Sequence, residues 1–190
     1  LEEKNMSVRW NHAIVVGASS GIGMAIAREL AASGCKVALV ARREEELKTL
    51  ADEINGKSIG SPLAIVFPHD VTNTAETPEV FQYACRELTG LDVIFYASGV
   101  MPHYQPDEID PQKDKVQMDV NVLGAMAWIN EAAVRFGRAG SGTIVAISSV
   151  AGDRGRGGMP AYAASKAALN TYLEAIRNRV GRLGVKVITV

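Results

Sequence analysis

The sequence has few of the residues that mark specialised classes of protein. It contains only two cysteines, Cys35 and Cys85, with no CxxC pair, and its three histidines are scattered, so neither a disulfide framework nor a metal site is indicated. The net charge is −1, without a basic block, which argues against a nucleic-acid partner. No apolar run is long enough for a membrane span, and the polar start is not typical of a signal peptide. These absences favour a reduced, cytoplasmic protein.

What the sequence does contain is a regular alternation of apolar runs with helical patterns. A chain of 190 residues, 47% of them hydrophobic, can bury a proper core, and we expect a single domain over 1–190. Strands are predicted over 12–18, 35–41, 62–67, 91–97, 142–148 and 184–190. Helices are predicted over 21–34, 43–56 and 77–90, around 110–137, and over 160–182. Uninterrupted apolar strands joined by helices predict an α/β fold with a doubly wound parallel sheet. Ligands of such sheets bind beyond the carboxyl ends of the strands.

A glycine-rich turn follows the first predicted strand. The segment GASSGIG places Gly17, Gly21 and Gly23 in a GxxxGxG pattern, directly before a helix. Glycine allows close approach of a ligand to the backbone, and a helix start offers N–H groups to phosphate. The turn therefore predicts a nucleotide site, with further contacts from Ser19, Ser20 and Ile22.

The end of the second predicted strand indicates which dinucleotide binds. An acidic residue at this position accepts from a ribose hydroxyl, but the chain has Ala41 followed by Arg42 and Arg43. The forked guanidinium of Arg42 can bind a 2′-phosphate, so NADP(H) is predicted over NAD(H). Alternatively, the two arginines only begin a solvated helix and pair with Glu44–Glu46. After the third strand, Asp70 and Val71 are candidates for the adenine side, unless Asp70 is simply a helix cap.

Near the end of the chain, Tyr162 and Lys166 stand four residues apart in the helical segment AYAASKAAL. Residues at i and i+4 share a helix face, so a cation can lie beside the phenol. An ordinary tyrosine has a pKa near 10, and lowering it to neutrality takes roughly 4 kcal/mol. A charge about 4 Å away supplies about that much at an effective dielectric constant near 20. The pair is thus a candidate acid–base centre, and the alternative is an amphipathic helix with an exposed lysine.

Together, the GxxxGxG turn, the YxxxK helix and the ISS that ends the preceding strand resemble the short-chain dehydrogenase/reductase family. The resemblance covers Gly17 to Val190 and implies a Rossmann-type fold. It also implies hydride transfer between a nicotinamide cofactor and a small carbonyl or alcohol substrate. By resemblance Ser149, thirteen positions before Tyr162, is the catalytic serine, and Asn121 is the active-site asparagine. Tyr162 and Lys166 complete the catalytic set and also bind the cofactor. A non-catalytic nucleotide-binding scaffold is the rival interpretation.

The chain departs from the family at two places. Ala97, Ser98 and Gly99 stand where the family usually has Asn-Ala-Gly, and we expect them to line the cofactor site. By resemblance that asparagine braces the interior of the sheet, and the Ser98 hydroxyl is a candidate to replace part of this role. The family usually continues with a substrate loop and a seventh strand, whereas this sequence ends at Val190, so we expect that its C-terminal part is missing. In related proteins two helices pair across a two-fold axis. With the strongly apolar segment 121–136, this predicts a homodimer or homotetramer.

Overall fold

Six parallel strands form the centre of the protein. The computed structural model describes residues 10–58, 60–105 and 107–190. The sheet order is β3-β2-β1-β4-β5-β6, so that β1 lies between β2 and β4. The strands are β1 (His12–Val16), β2 (Lys36–Ala41), β3 (Ala64–Pro68), β4 (Val93–Tyr96), β5 (Gly142–Ala146) and β6 (Val185–Thr189). This order confirms the predicted doubly wound, Rossmann-type sheet.

Helices connect the strands. They are α1 (Gly21–Ala32), α2 (Glu44–Gly56), α3 (Thr77–Leu88), α4 (Pro111–Met118), α5 (Ala125–Ala139) and α6 (Pro160–Val180). A π-helical segment, Asp119–Gly124, joins α4 to α5, and short 3₁₀ turns cover Val150–Asp153 and Gly181–Leu183. Among the residues that the structure describes, no helix is both long and apolar enough to cross a bilayer.

Both faces of the sheet are buried, which explains the uninterrupted apolar strands. Along β1, Ile14 and Val16 point into a core shared with α3, α5 and α6. The alternate residues, Ala13 and Val15, point into a second core under α1 and α2. Because successive side chains of a strand alternate between its faces, a strand covered on both sides is apolar at every position.

Several predicted elements differ in their bounds from the observed ones, and two of the helical regions show why. The helical region expected around 110–137 is divided into α4, the π segment and α5. The helical pattern of the sequence does not distinguish a wider π turn from an α turn, so the prediction gave one continuous helical region. The last helix ends at Val180 instead of continuing to 182, because the chain tightens into a 3₁₀ turn and reaches Gly184 in a left-handed conformation (φ 81°).

The strand order creates the crevice in which a ligand can bind. From β1 the chain first moves outward to β2 and β3, and it then crosses to β4 on the other side of β1. The loops that follow β1 and β4 therefore separate at the carboxyl edge of the sheet, which is where doubly wound folds bind their ligands.

Candidate active site

An open cavity of about 470 Å³ occupies this crevice. Its walls come from the turn after β1, the ends of β2 and β3, the loop after β4, and the π segment. Eleven of the predicted cofactor residues line it: Gly17, Ser19, Ser20, Gly21, Ile22, Arg42, Arg43, Val71, Ala97, Ser98 and Gly99. Four others, Gly23, Asp70, Tyr162 and Lys166, lie outside its walls.

The glycine-rich turn has no space for side chains at two of its glycines. Gly17 has a φ of +94°, and a Cβ there would lie 2.6 Å from the backbone nitrogen of Ser98. A Cβ on Gly23 would lie 2.2 Å from the carbonyl oxygen of Gly17. Gly23 therefore acts through packing and not by contact with the cavity. The start of α1 opens into the cavity, and its N-cap residue Ser20 makes no side-chain capping bond. The turn thus fits a phosphate-bearing ligand at a helix start.

The two arginines after β2 have different partners. Arg43 lies across the glycine-rich turn, where its Nη2 donates to the hydroxyls of Ser19 (2.9 Å) and Ser20 (2.6 Å). The Arg42 guanidinium instead points towards Asp70, with Nη1 3.7 Å from Oδ2. The side chain of Arg42 is 62% exposed and that of Arg43 is 50% exposed, so both can reach a ligand. Arg43 Nη1 also lies 3.9 Å from Glu46 Oε1, so one of the ion pairs expected in the solvated-helix alternative is present.

Asp70 forms a local turn and does not cap a helix. Its Oδ1 accepts from the backbone N–H (2.9 Å) and the hydroxyl (2.8 Å) of Thr72, whereas α3 begins only at Thr77. Burial opposes ionisation of Asp70, but the Thr72 bonds and the Arg42 charge outweigh it and hold the pKa of this carboxyl below its ordinary value. Asp70 and Arg42 therefore present an ion pair beside the cavity.

Tyr162 and Lys166 share one face of α6, as their spacing predicts. The Lys166 ammonium lies 5.7 Å from the centroid of the Tyr162 ring. It donates a 2.8 Å hydrogen bond to the carbonyl of Ile147, just beyond β5. Lys166 is only 4% exposed, which contradicts the interpretation as a surface lysine, and burial lowers its pKa. A buried cation thus lies beside the phenol.

The two serines after β5 have different environments. Ser148 donates to the side-chain oxygen of Asn170 on α6. Ser149 precedes the 3₁₀ turn, and its Oγ accepts from the backbone N–H of Ala151 at 3.1 Å. Because the Ser149 hydroxyl is the acceptor in that bond, its own proton remains available to a ligand.

Asn121 lies in the π segment and is fully buried. Its Oδ1 accepts from the backbone N–H of Val100 (2.8 Å), and its Nδ2 donates to the carbonyl of Val100 (3.0 Å) and to Ser165 Oγ (3.0 Å). Its side chain therefore holds the loop after β4, and Val100 of that loop lines the cavity.

Gly99 joins the cavity to this second group of residues. It lines the cavity, and a Cβ placed on it would lie 3.6 Å from Asn121 Oδ1 and 3.7 Å from Lys166 Nζ. The end of the cavity that Gly99 lines is therefore in contact range of the buried lysine and the asparagine.

Sequence reasoning missed several residues around this site. The motifs indicate no role for Ser165, or for Val100, Val120 and His69, which line the cavity. The available signal was positional, since each follows a strand end or adjoins a motif residue. Such signals say that a residue is near the site, and they do not say what it contacts.

Known proteins share both the sequence and the fold. The sequence model described as short chain dehydrogenase matches residues 11–190. An uncharacterized oxidoreductase of Staphylococcus aureus (strain MW2) is 33% identical over 183 residues, which cover 94% of this chain and 75% of that protein. A short-chain dehydrogenase from Streptomyces avermitilis has a TM-score of 0.85 at 29% identity, with 97% of this chain and 65% of that chain covered. A short-chain dehydrogenase/reductase from Mycobacterium ulcerans has a TM-score of 0.88 at 26% identity, over 94% and 66% of the two chains.

The chain therefore belongs to the short-chain dehydrogenase/reductase family of oxidoreductases. This confirms the resemblance drawn from the motifs, and with it the class of enzyme and a nicotinamide dinucleotide as the class of cofactor.

Proposed function

We propose that the protein is an NADP(H)-dependent oxidoreductase that interconverts a small carbonyl compound and its alcohol, with Tyr162 as the general acid–base. The observation that carries this proposal is the buried ammonium of Lys166, 5.7 Å from the Tyr162 ring and close to Gly99, which lines the same cavity as the glycine-rich turn. Bound NADPH supplies the hydride in the direction of reduction.

Three side chains transfer the proton and stabilise the negative charge that develops. Tyr162 donates its phenolic proton to the carbonyl oxygen as negative charge develops there, and it takes the proton back in alcohol oxidation. The Ser149 hydroxyl, whose proton is available, donates a second hydrogen bond to the same oxygen. The Lys166 cation stabilises the phenolate form of the tyrosine, and the buried setting strengthens this interaction over its value in water.

The cofactor preference rests on the arginines after β2. Arg43, held over the glycine-rich turn by Ser19 and Ser20, is the principal ligand for a 2′-phosphate. Arg42 lies on the adenine side, where Asp70 offsets part of its charge, so it is the weaker of the two phosphate ligands. Ala41 ends β2 with no carboxylate to repel the phosphate. Because cells keep NADP largely reduced, carbonyl reduction is the direction we favour. An NAD(H)-preferring dehydrogenase is the alternative.

The decisive experiment compares two tyrosines on the same helix. Tyr162→Phe should lower turnover by about a hundredfold or more, the usual scale of lost acid–base catalysis, and leave NADPH binding intact. Tyr172→Phe is the matched control, because Tyr172 lies on α6 but donates to Asn130 on α5 at 2.7 Å. A panel of ketones, aldehydes and alcohols, followed by NADPH absorbance, provides the substrate for the comparison.

Each outcome of this experiment separates two interpretations. Near wild-type turnover of Tyr162→Phe on a confirmed substrate would remove Tyr162 as the acid. Tight NADPH binding by the wild type without turnover of any substrate would support the non-catalytic scaffold. Faster turnover with NADH than with NADPH would support the NAD(H) alternative.

We further propose a homodimer or homotetramer. Apolar side chains lie exposed along the π segment and α5, with Leu123 51% and Val134 53% exposed. These residues lie away from the core that α5 shares with the sheet, so a second copy of the chain is the partner that fits an isologous pairing. Light scattering at micromolar concentration tests this, and monomer alone would contradict it.

Both cysteines are free and buried, which supports the expected cytoplasmic compartment.

A further inference from the structure

Ser165, the residue before Lys166, connects two parts of the site through one hydroxyl. Its side chain is fully buried. The Oγ accepts a 3.0 Å hydrogen bond from Asn121 Nδ2 and donates a 2.8 Å hydrogen bond to the carbonyl of Tyr162. The hydroxyl thus ties the π segment to the first turn of α6, and both its donor and its acceptor functions are used.

The bond to Ser165 completes the hydrogen bonding of Asn121. A side-chain amide has two N–H groups, and here one donates to the Val100 carbonyl and the other to Ser165. Removal of the Ser165 hydroxyl would leave the second N–H buried without its acceptor, which is costly in a water-excluded site. The asparagine would then be free to rotate, and the Val100 backbone that it holds would lose its support.

We propose that Ser165 is a positioning residue: by fixing Asn121, it sets the separation between the cavity wall at Gly99 and Val100 and the Tyr162–Lys166 pair. The gap between these two parts of the site is narrow. A Cβ placed on Gly99 would lie 3.6 Å from Asn121 Oδ1 and 3.7 Å from Lys166 Nζ. Small shifts of reacting groups cost enzymes much of their rate. This inference rests on the proposed function, because it concerns the same acid–base pair.

The test is Ser165→Ala, with kcat, KM and the pH dependence of kcat measured on a confirmed carbonyl substrate. We expect kcat to fall about three- to tenfold, the worth of roughly one buried hydrogen bond, together with a shifted pH profile. Because Ser165 acts through Asn121, the double variant Ser165→Ala/Asn121→Ala should be no slower than Asn121→Ala alone. Ser165→Thr keeps the hydroxyl and should recover most of the lost rate.

A matched control separates positioning from general stability. Thr77→Val also removes a fully buried hydroxyl, but on α3, where it contacts His69. It should lower the melting temperature without changing kcat per folded molecule. If Ser165→Ala behaves in the same way, with an unchanged pH profile and additive effects in the double variant, the positioning role is refuted.

A second measurement does not depend on turnover. In NMR spectra of the ¹⁵N-labelled protein, the Asn121 carboxamide protons can be assigned by their disappearance in Asn121→Asp. We expect these protons to exchange slowly with solvent in the wild type and markedly faster in Ser165→Ala. Equal exchange rates of these protons in the two proteins would refute the proposal that Ser165 fixes the Asn121 side chain. Absence of turnover in the wild type with faster exchange in the variant would instead contradict the proposed function alone.

Discussion

Replacing Arg43 with alanine should change the affinity for NADPH far more than the affinity for NADH. The substitution removes the guanidinium that donates to Ser19 and Ser20 over the glycine-rich turn, where we propose that it binds the 2′-phosphate. A hydrogen bond to a charged group is worth about 1.5–3 kcal/mol. Because the Arg43 side chain is 50% exposed, we place its contribution at the lower end of that range. The expected result is about tenfold weaker binding of NADPH, with NADH within about twofold.

Two further variants separate the contributions of the neighbouring residues. Arg42→Ala removes a side chain that is paired with Asp70 and is 62% exposed, so its effect on NADPH should be smaller than that of Arg43→Ala. Ala41→Asp introduces a carboxylate at a cavity-lining position at the end of β2. That carboxylate repels a phosphate and can accept from a ribose hydroxyl, so this variant should prefer NADH.

Fluorescence titration of both reduced nucleotides into each variant gives the dissociation constants. Lys48→Ala is the charge-matched control, because Lys48 lies on α2 with Arg43 nearby but pairs with Glu44 and Glu45 instead of contacting the turn. Equal affinities of the wild type for NADH and NADPH would refute the proposal that the arginines after β2 select NADP(H). So would an Arg43→Ala variant that weakens both nucleotides equally, since the 2′-phosphate is the only group that distinguishes them.

Three shorter predictions test the framework around the site. Burial lowers the pKa of the His69 imidazole, although Glu76 and Asp70 act in the opposite direction. As the pH is lowered through about 6.5, the unfolded chain therefore binds more protons than the folded protein. The free energy of unfolding should decrease as the pH is lowered from 7.5 to 5.5. His69→Gln should remove that part of the pH dependence in thermal melts. Gly23→Ala should abolish NADPH binding in the same titration, because its Cβ would meet a carbonyl oxygen at 2.2 Å, whereas Gly157→Ala, with open space around it, should bind normally. Tyr96→Phe leaves the Val120 carbonyl without its 2.6 Å donor and should lower the free energy of unfolding in urea by about 1–2 kcal/mol.

Much of the fold could be predicted because its signals are local and repeated. The two-sided burial of the strands makes each an apolar run, and six such runs separated by helices leave few alternatives to a parallel sheet. The ends of the strands follow less directly from the sequence. The fourth strand was predicted over 91–97, but only Val93–Tyr96 pairs with its neighbours, because apolar residues continue into the loops that flank it.

The candidate site was predictable by residue type but not by partner. Arg42 and Arg43 are chemically identical neighbours, and the sequence favoured Arg42 for the phosphate. The extended backbone of Arg43 (φ −83°, ψ 93°), at the N-cap of α2, is what brings its side chain against Ser19 and Ser20. That conformation depends on how α2 packs against the sheet, which no short stretch of sequence encodes.

The departure at Ala97–Gly99 shows how tertiary contacts can take over a role that a motif usually has. By resemblance an asparagine there braces the interior of the sheet, and the sequence offered the Ser98 hydroxyl as a substitute. The brace observed in this region is instead the fully buried Tyr96, the last residue of β4, whose hydroxyl donates to Val120 in the π segment. The next residue, Asn121, bonds back to Val100 in the loop after β4. Because these bonds join the same two elements, β4 with its loop and the π segment, the cavity wall between them is held without the family's asparagine.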